Sequence, residues 1–275
     1  MTFKILAVGH AGVDFVHGVT DHLNPNKKID SSFSAVQLGG SAANVASALK
    51  DLGADVTVCT ILGNKTDPIT VLFENLLASK DINLVCKYVN TATTANSLIT
   101  VLPNGDRSIT SYQPIEIVQE ASVDIDVSQY DLVLGDSYRL PLVSNIFDLA
   151  QSLSIPTMLD VDKTVAQTDL LPIATHVWFS HEAWQTFDIT RLQPLCTIGI
   201  TNGENPVVWL EPCSSVFQSF TPRSVDVKNS LGAGDVFRAS LALQLLMKTP
   251  LATAIERACN SAGDHISGKL LTKII

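Results

Sequence analysis

A loop of three small residues followed by a carboxylate offers the clearest chemistry in the sequence. Gly232, Ala233 and Gly234 precede Asp235, and residues suited to a helix interior then recur at helical spacing as far as Met247. Small residues at a helix N-terminus let an anion approach unpaired backbone N–H groups and the positive end of the helix dipole. A carboxylate beside that anion suits a general base that removes a proton from an attacking hydroxyl. The alternative is a tight packing loop in which Asp235 is only a favourable first-turn acid.

A second helix that begins with small residues lies near the amino terminus. Gly39 and Gly40 precede an apolar helical stripe that ends at Gly53, and Asn44 lies one turn into this helix. Asp14 follows the first apolar strand, at the sheet edge where open α/β folds bind ligands. Carboxylate and amide groups can hydrogen-bond the hydroxyls of a polyol, although each could also only cap or solvate the local backbone.

The elements that must position these groups alternate between strand and helix from residue 131 onward. This alternation predicts right-handed βαβ crossovers and a mostly parallel sheet. Polar residues follow four successive predicted strands, and a binding crevice at the carboxyl ends of the strands would account for them. These residues are Asp136, Asp160, Asp162, Ser180 and Thr201.

Two segments without a helical pattern, near residues 15–38 and 90–113, interrupt the first half of the chain. They contain short β-like runs, and Asn104-Gly105 is a strong hairpin turn. We expect these segments to pair into one small sheet that covers the ligand end of the main sheet as a lid. Arg107, which follows the hairpin turn, is a candidate ligand of the substrate.

Composition restricts the class of protein. The chain has 275 residues, 46% of them hydrophobic and 16% charged, which predicts one large α/β domain over residues 1–275 with a substantial core. The net charge of −9 argues against a general nucleic-acid surface, and no apolar run is long enough for a membrane span. The lack of a signal-peptide pattern and the scattered cysteines predict a cytoplasmic protein without membrane partners.

Several reactive residue types have no pattern that predicts a site. The five cysteines are interpreted as small core residues, because none has the spacing of a metal site: Cys59, Cys86, Cys196, Cys213 and Cys259. The six histidines also lack metal spacing, and only His10 and His22, near the lid segments, are candidates for substrate contact. Arg139 is interpreted as an ordinary surface charge.

The two glycine-rich helix starts, in this order and nearly two hundred residues apart, resemble the two signatures of the ribokinase-like (PfkB) sugar kinases. The residues that carry the resemblance are Gly39-Gly40-x-x-x-Asn44-x-Ala46 and Gly232-Ala233-Gly234-Asp235-x-Phe237. It covers almost the whole chain. Leu231 and the strand end at Ser180 look closer to ketohexokinase-like and sulfofructose kinase-like members, which favours a ketose or a modified ketose as acceptor.

The resemblance implies a three-layer αβα sandwich with a small β-sheet lid, ATP as phosphate donor, Mg²⁺, and a homodimer formed through the lid. It implies that Asp235 is the catalytic base and that the Gly232, Ala233 and Gly234 amides form an anion hole. It assigns Asp14, Gly39, Gly40, Asn44 and Arg107 to the sugar. It assigns Thr201, Gly203, Asn229 and Asn260 to the nucleotide and Glu182 to the metal.

The chain departs from the family pattern in several places. Asn229-Ser230 stands where the family usually has Asp-Thr, Ser180-His181-Glu182-Ala183 replaces Asn-x-x-Glu, and Pro206 replaces a glycine of the donor segment. The sequence therefore leaves two alternatives to a sugar kinase, namely a nucleoside kinase and a non-catalytic sugar- or nucleotide-binding protein on the same fold. A dinucleotide-dependent oxidoreductase is excluded, because the first strand and helix lack a G-x-G-x-x-G fingerprint.

Overall fold

A large, mostly parallel sheet forms the centre of the molecule in the computed structural model, which describes residues 2–21, 26, 28–103, 107–162, 174–187, 196–228 and 230–269. Within those residues the sheet has nine strands in the order β13-β12-β11-β10-β9-β8-β1-β4-β5. Neighbouring strands from β11 to β5 are parallel, whereas β12 and β13 add an antiparallel edge. The predicted parallel core is therefore confirmed.

The central parallel strands of this sheet are short apolar runs, as buried parallel strands require. Their bounds are β1 Lys4–Val8, β4 Asp55–Leu62, β5 Asn83–Tyr88, β8 Leu132–Asp136, β9 Thr157–Val161, β10 His176–Ser180, β11 Thr197–Thr201, β12 Val207–Leu210 and β13 Gln218–Phe220. The carboxyl ends of β8, β9, β10 and β11 lie side by side, so the predicted polar strand ends share one edge of the sheet.

Helices cover both faces of the sheet and give three layers. Their bounds are α1 Ser41–Asp51, α2 Pro68–Ser79, α3 Ile115–Gln119, α4 Leu140–Ser152, α5 His181–Gln185, α6 Ala233–Leu246 and α7 Leu251–Ile266. Alternate residues of β1 point to opposite faces. Ile5 and Ala7 join a core cluster with α1, α6 and α7, whereas Leu6 and Val8 join a second cluster with α4.

A separate four-stranded sheet is built from the two segments predicted to form a lid. It contains β2 Gly12–Val19, β3 Ser31–Gly39, β6 Asn96–Val101 and β7 Arg107–Tyr112. The order is β3-β2-β6-β7, with β2 parallel to β6 and antiparallel to β3. Asp14 therefore lies between Gln37 and Ser97 on one face of this sheet. The predicted turn at Asn104-Gly105 lies outside the described residues.

Some features of the fold differ from the sequence predictions. The five-residue helices α3 and α5 were not predicted, because an apolar periodicity needs more than one turn to become visible. The prediction that every cysteine is a core residue is wrong for Cys213, which is exposed; Cys59, Cys196 and Cys259 are buried. No helix within the described residues has the length and apolar character needed to cross a membrane.

Candidate active site

The loop that begins helix α6 has the geometry predicted for it. Gly232 is the N-cap residue and adopts the left-handed conformation, with φ = 77°, which glycine adopts without steric cost. Asp235 lies in the first turn, where the N–H groups lack intrahelical acceptors. His265 of α7 donates a hydrogen bond from Nε2 to the Leu231 carbonyl oxygen at 2.8 Å and so ties the loop to the last helix.

Asp235 forms an ion pair that the sequence analysis missed. Arg238, one turn further along α6, donates from Nη2 to Asp235 Oδ1 at 2.7 Å and from Nη1 to Asp160 Oδ1 at 2.5 Å. Burial raises the pKa of Asp235, and the positive charge of Arg238 opposes that rise. The spacing of three residues on one helix could have revealed the pair, because residues at i and i+3 are neighbours on the helix surface.

Two glycines at the start of α1 are held against neighbouring polar groups. A Cβ atom at Gly39 would lie 2.3 Å from Asp14 Oδ1, and one at Gly40 would lie 2.5 Å from the His10 carbonyl oxygen. Gly40 also has φ = 85°, which L-residues rarely adopt. The absence of side chains at Gly39 and Gly40 thus lets Asp14 and the His10 carbonyl group lie close to the start of α1. Asn44 lies in the first turn of this helix and is partly buried.

Asp14, on β2 of the small sheet, and Asp235, on helix α6, interact through their charges. Burial is the main cause that raises the pKa of Asp14 to about 6, with Ser97 lowering it by a hydrogen bond and Asp235 raising it by its charge. Burial likewise raises the pKa of Asp160 to about 7, against the lowering effect of Arg238. Clustered carboxylates with raised pKa values are typical of functional sites.

The raised pKa of Asp14 predicts that this residue destabilises the fold at neutral pH. A group that binds its proton more tightly in the folded chain loses stability as pH rises from its unfolded value, 3.8, through its folded value, about 6. Asp14→Asn removes this loss, so we expect the variant to be more stable than the wild type by about 1–3 kcal/mol at pH 8 and by much less at pH 4. Urea unfolding at both pH values measures the difference.

Asp51→Asn is the matched control, because Asp51 is exposed at the end of α1. We expect its stability relative to the wild type to stay constant between pH 4 and pH 8. A gain for Asp14→Asn that did not grow with pH would contradict the assignment of a buried, ionised carboxylate at Asp14.

Arg139 is not a surface charge, and that prediction is wrong. Its side chain is only 1% exposed, and it donates from Nη2 to His10 Nδ1 at 3.1 Å and from Nη1 to Gln113 Oε1 at 3.3 Å. Because arginine can only donate, His10 Nδ1 accepts this hydrogen bond. Asp136 accepts from the backbone N–H groups of His10, Tyr138 and Arg139, so its carboxylate organises these loops.

Arg107 connects the small sheet to the loop that begins α6. Its Nη1 donates to Ser230 Oγ at 2.9 Å, and both residues are exposed. This contact brings the predicted lid against the predicted phosphate loop. Asn229, assigned to the nucleotide by resemblance, and His22, a candidate substrate contact, both lie outside the described residues.

The described residues assigned to the phosphate donor and its metal lie on β11, in the turn after it, and on α5 and α7. Thr201 ends β11 and is partly buried, while a Cβ atom at Gly203 would meet nothing within 4 Å, so this turn opens onto free space. Asn260 is partly buried on α7, and Glu182 is exposed in the first turn of α5. The described residues contain no group of three or more His, Cys, Asp or Glu side chains that could hold a metal ion alone.

Residues 2–269 match the family model described as pfkB family carbohydrate kinase. A relative from Mycoplasma genitalium, provisionally named a 1-phosphofructokinase, is 24% identical over 252 residues, which cover 83% of this chain and 80% of the relative.

Solved structures of ribokinases share the fold. One from Agrobacterium tumefaciens, also named provisionally, superposes with a TM-score of 0.88 at 22% identity and covers 99% of this chain and 95% of its own. The ribokinase of Arabidopsis thaliana, solved with ribose and ATP, has a TM-score of 0.75 at 15% identity, with 99% and 96% of the two chains covered.

Proposed function

Because the chain belongs to the pfkB family of carbohydrate kinases, we propose that it transfers the γ-phosphate of ATP to a hydroxyl group of a sugar or sugar derivative. The observation that carries this proposal is that the small sheet, which holds Asp14, meets the loop that leads to Asp235 through the hydrogen bond from Arg107 Nη1 to Ser230 Oγ. A hydroxyl held by one carboxylate would lie beside a second that can take its proton. ATP as donor is supported by the ATP in the Arabidopsis thaliana ribokinase.

The acceptor would be held at the start of α1 and beneath the small sheet. Asp14 and Asn44 would hydrogen-bond its hydroxyls, and Gly39 and Gly40 would let it approach the backbone. Arg107 would contact it from the small sheet, or would hold that sheet closed through Ser230. The resemblance of Leu231 and the Ser180 strand end to ketohexokinase-like and sulfofructose kinase-like members makes ketoses and modified ketoses the first acceptors to test.

The transfer itself would use the start of α6. Asp235 accepts the hydroxyl proton as the acceptor oxygen forms a bond to the γ-phosphorus, and the bond from phosphorus to the β–γ bridging oxygen breaks to release ADP. The N–H groups of Gly232, Ala233 and Gly234 stabilise the charge that develops on the phosphate oxygens. The helix dipole adds to this stabilisation.

The nucleotide would lie along Thr201, Gly203, Asn229 and Asn260. A Mg²⁺ ion caged by protein ligands does not fit the described residues, which offer no group of three suitable side chains. A Mg²⁺ ion bound mainly by phosphates and water does fit, with Glu182 as a single exposed carboxylate. Such an ion would neutralise charge on the donor's phosphates.

We also infer that the chain forms a homodimer through the small sheet. Val36, Leu98 and Tyr112 lie on one face of that sheet, and they are 43%, 48% and 54% exposed. An exposed apolar patch on a sheet is typical of an interaction surface. We expect Leu98→Glu to shift the sedimentation coefficient from dimer to monomer, and a wild type that sediments as a monomer at micromolar concentration would contradict the dimer.

The experiment that tests the function is a screen of ADP release over a panel of ketoses, aldoses, sugar phosphates and nucleosides with ATP and Mg²⁺. Turnover with at least one carbohydrate supports the proposal, and turnover restricted to nucleosides would make the chain a nucleoside kinase. Calorimetric binding of ATP–Mg²⁺ without turnover of any acceptor would instead indicate a non-catalytic binding protein.

A further inference from the structure

Arg238 joins two carboxylates that come from different parts of the fold. Its two terminal nitrogens bond Asp235 on its own helix and Asp160 at the end of β9, and the three side chains are only 16%, 13% and 6% exposed. Ser41, the first residue of α1, donates to the other oxygen of Asp160 at 3.3 Å. The guanidinium is therefore anchored on the sheet, and that anchor is linked to the start of the acceptor helix.

The hydrogen bond from Arg238 occupies one carboxylate oxygen of Asp235 and leaves the other to accept a proton from the substrate. Arg238 binds Oδ1, whereas Oδ2 lies on the side of the helix N-terminus, 4.0 Å from the position of a Cβ atom on Gly232. A rotation of the carboxylate would break the bond to Arg238. The free oxygen is thus turned toward the corner where the phosphate and the attacking hydroxyl would meet.

Arg238 also lowers the pKa of Asp235, which burial and neighbouring carboxyl groups raise. Burial raises the pKa of Asp235, and Asp162, beyond β9, raises it further. Arg238 has the largest lowering effect, and His265 of α7 has a smaller one. Asp160, within β9, and Asp14 of β2 are two further carboxyl groups whose pKa values the charge of Asp235 raises. Without Arg238, the carboxylate would face burial and three other carboxyl groups with only His265 to oppose them.

We propose that Arg238 is a positioning residue for the general base, holding Asp235 ionised with Oδ2 directed at the reacting hydroxyl, and that Asp160 anchors Arg238 in this role. The inference rests on the proposed function of Asp235. The competing view is that Arg238 only neutralises two buried carboxylates and contributes to stability alone.

The variants are chosen to separate these views. Arg238→Gln alone leaves two buried carboxylates without their cation and can fail to fold. The double variant Asp160→Asn with Arg238→Gln keeps the summed charge of the three groups at −1 and preserves hydrogen-bonding side chains, so it is the main test. Arg238→Lys keeps the positive charge without the two-nitrogen fork.

Two measurements are made on the same proteins. The first is the pH profile of kcat/KM, in which we expect the acidic limb to lie about one unit or more higher in the double variant than in Asp160→Asn alone. These two proteins differ only at position 238, and a neighbouring cation lowers a carboxyl pKa by about 1–3 units. We expect kcat at pH 7 to fall at least about tenfold. Arg238→Lys should restore the position of the limb more fully than it restores kcat, because a single ammonium does not fix the carboxylate orientation.

The second measurement does not depend on catalysis. Carbon-13 NMR of labelled aspartate carboxyl groups gives the pKa of Asp235, with its signal assigned by its loss in Asp235→Asn. A higher pKa in the double variant than in Asp160→Asn supports the electrostatic part of the inference, and an equal pKa in these two proteins overturns it whether or not the protein is a kinase. A raised pKa with unchanged kcat and an unchanged profile would overturn the positioning role, whereas full activity of Asp235→Asn would overturn the proposed function instead.

Discussion

Replacement of Asp235 by Asn is expected to lower kcat by about 10²–10⁴-fold while the acceptor still binds, because general base catalysis commonly contributes that much. Asn keeps the size of the side chain and can still accept the hydrogen bond from Arg238 Nη2, which lies 2.7 Å from Asp235 Oδ1 in the wild type. Asp160 continues to pair with the guanidinium. The variant should therefore fold, and its loss should appear in turnover.

The measurement is steady-state turnover at saturating ATP with the best acceptor from the screen, together with the calorimetric Kd of that acceptor. We expect the Kd to change by no more than about threefold, because a transition-state interaction is lost while ground-state contacts remain. Asp226→Asn is the matched control, since it removes an exposed carboxylate shortly before the same loop. Wild-type turnover in Asp235→Asn would refute the assignment of the base.

The parts of the site that the sequence predicted are those set by local chemistry. Gly232 and Gly40 both precede helices and both adopt positive φ, and a glycine before an apolar helical pattern is enough to indicate such a place. Thr201 is the last residue of β11, and Asp14 lies on β2 shortly after β1 ends, so the rule that parallel sheets bind ligands at their carboxyl ends indicated both places. The two strand-forming segments of the small sheet could also be recognised locally.

The parts that the sequence did not predict depend on contacts between distant segments. Arg139 is buried because His10, 129 residues earlier, accepts its hydrogen bond, and no local pattern distinguishes it from the usual exposed arginine. His265 reaches the Leu231 carbonyl across 34 residues. The contacts of Arg238 could be predicted only in part, because its contact with Asp235 is local but its anchor, Asp160, lies 78 residues away. The partners of buried charged side chains are thus determined by the tertiary structure and not by the local sequence.

Gly40→Ala is expected to have the largest effect on stability and on acceptor binding together. The backbone at Gly40 has φ = 85° and ψ = 146°, a region that is almost restricted to glycine. The new methyl group would also lie 2.5 Å from the His10 carbonyl oxygen, which accepts a hydrogen bond from Ala42 N–H at the start of α1. Backbone strain of about 1–3 kcal/mol and overpacking of about 1–3 kcal/mol act in the same direction.

Gly203→Ala separates strain from steric clash, because Gly203 also has a positive φ, of 57°, but its Cβ position is open. We expect Gly203→Ala to lower the free energy of unfolding by about 1–2 kcal/mol, which is the cost of the left-handed conformation alone. Gly40→Ala should lower it by about 2–6 kcal/mol and should raise the acceptor Kd more than tenfold, because the start of α1 must move away from His10. Urea unfolding and calorimetry measure the two quantities. Equal losses of stability in the two variants would show that α1 accommodates the methyl group, and an unchanged Kd would remove the start of α1 from the acceptor site.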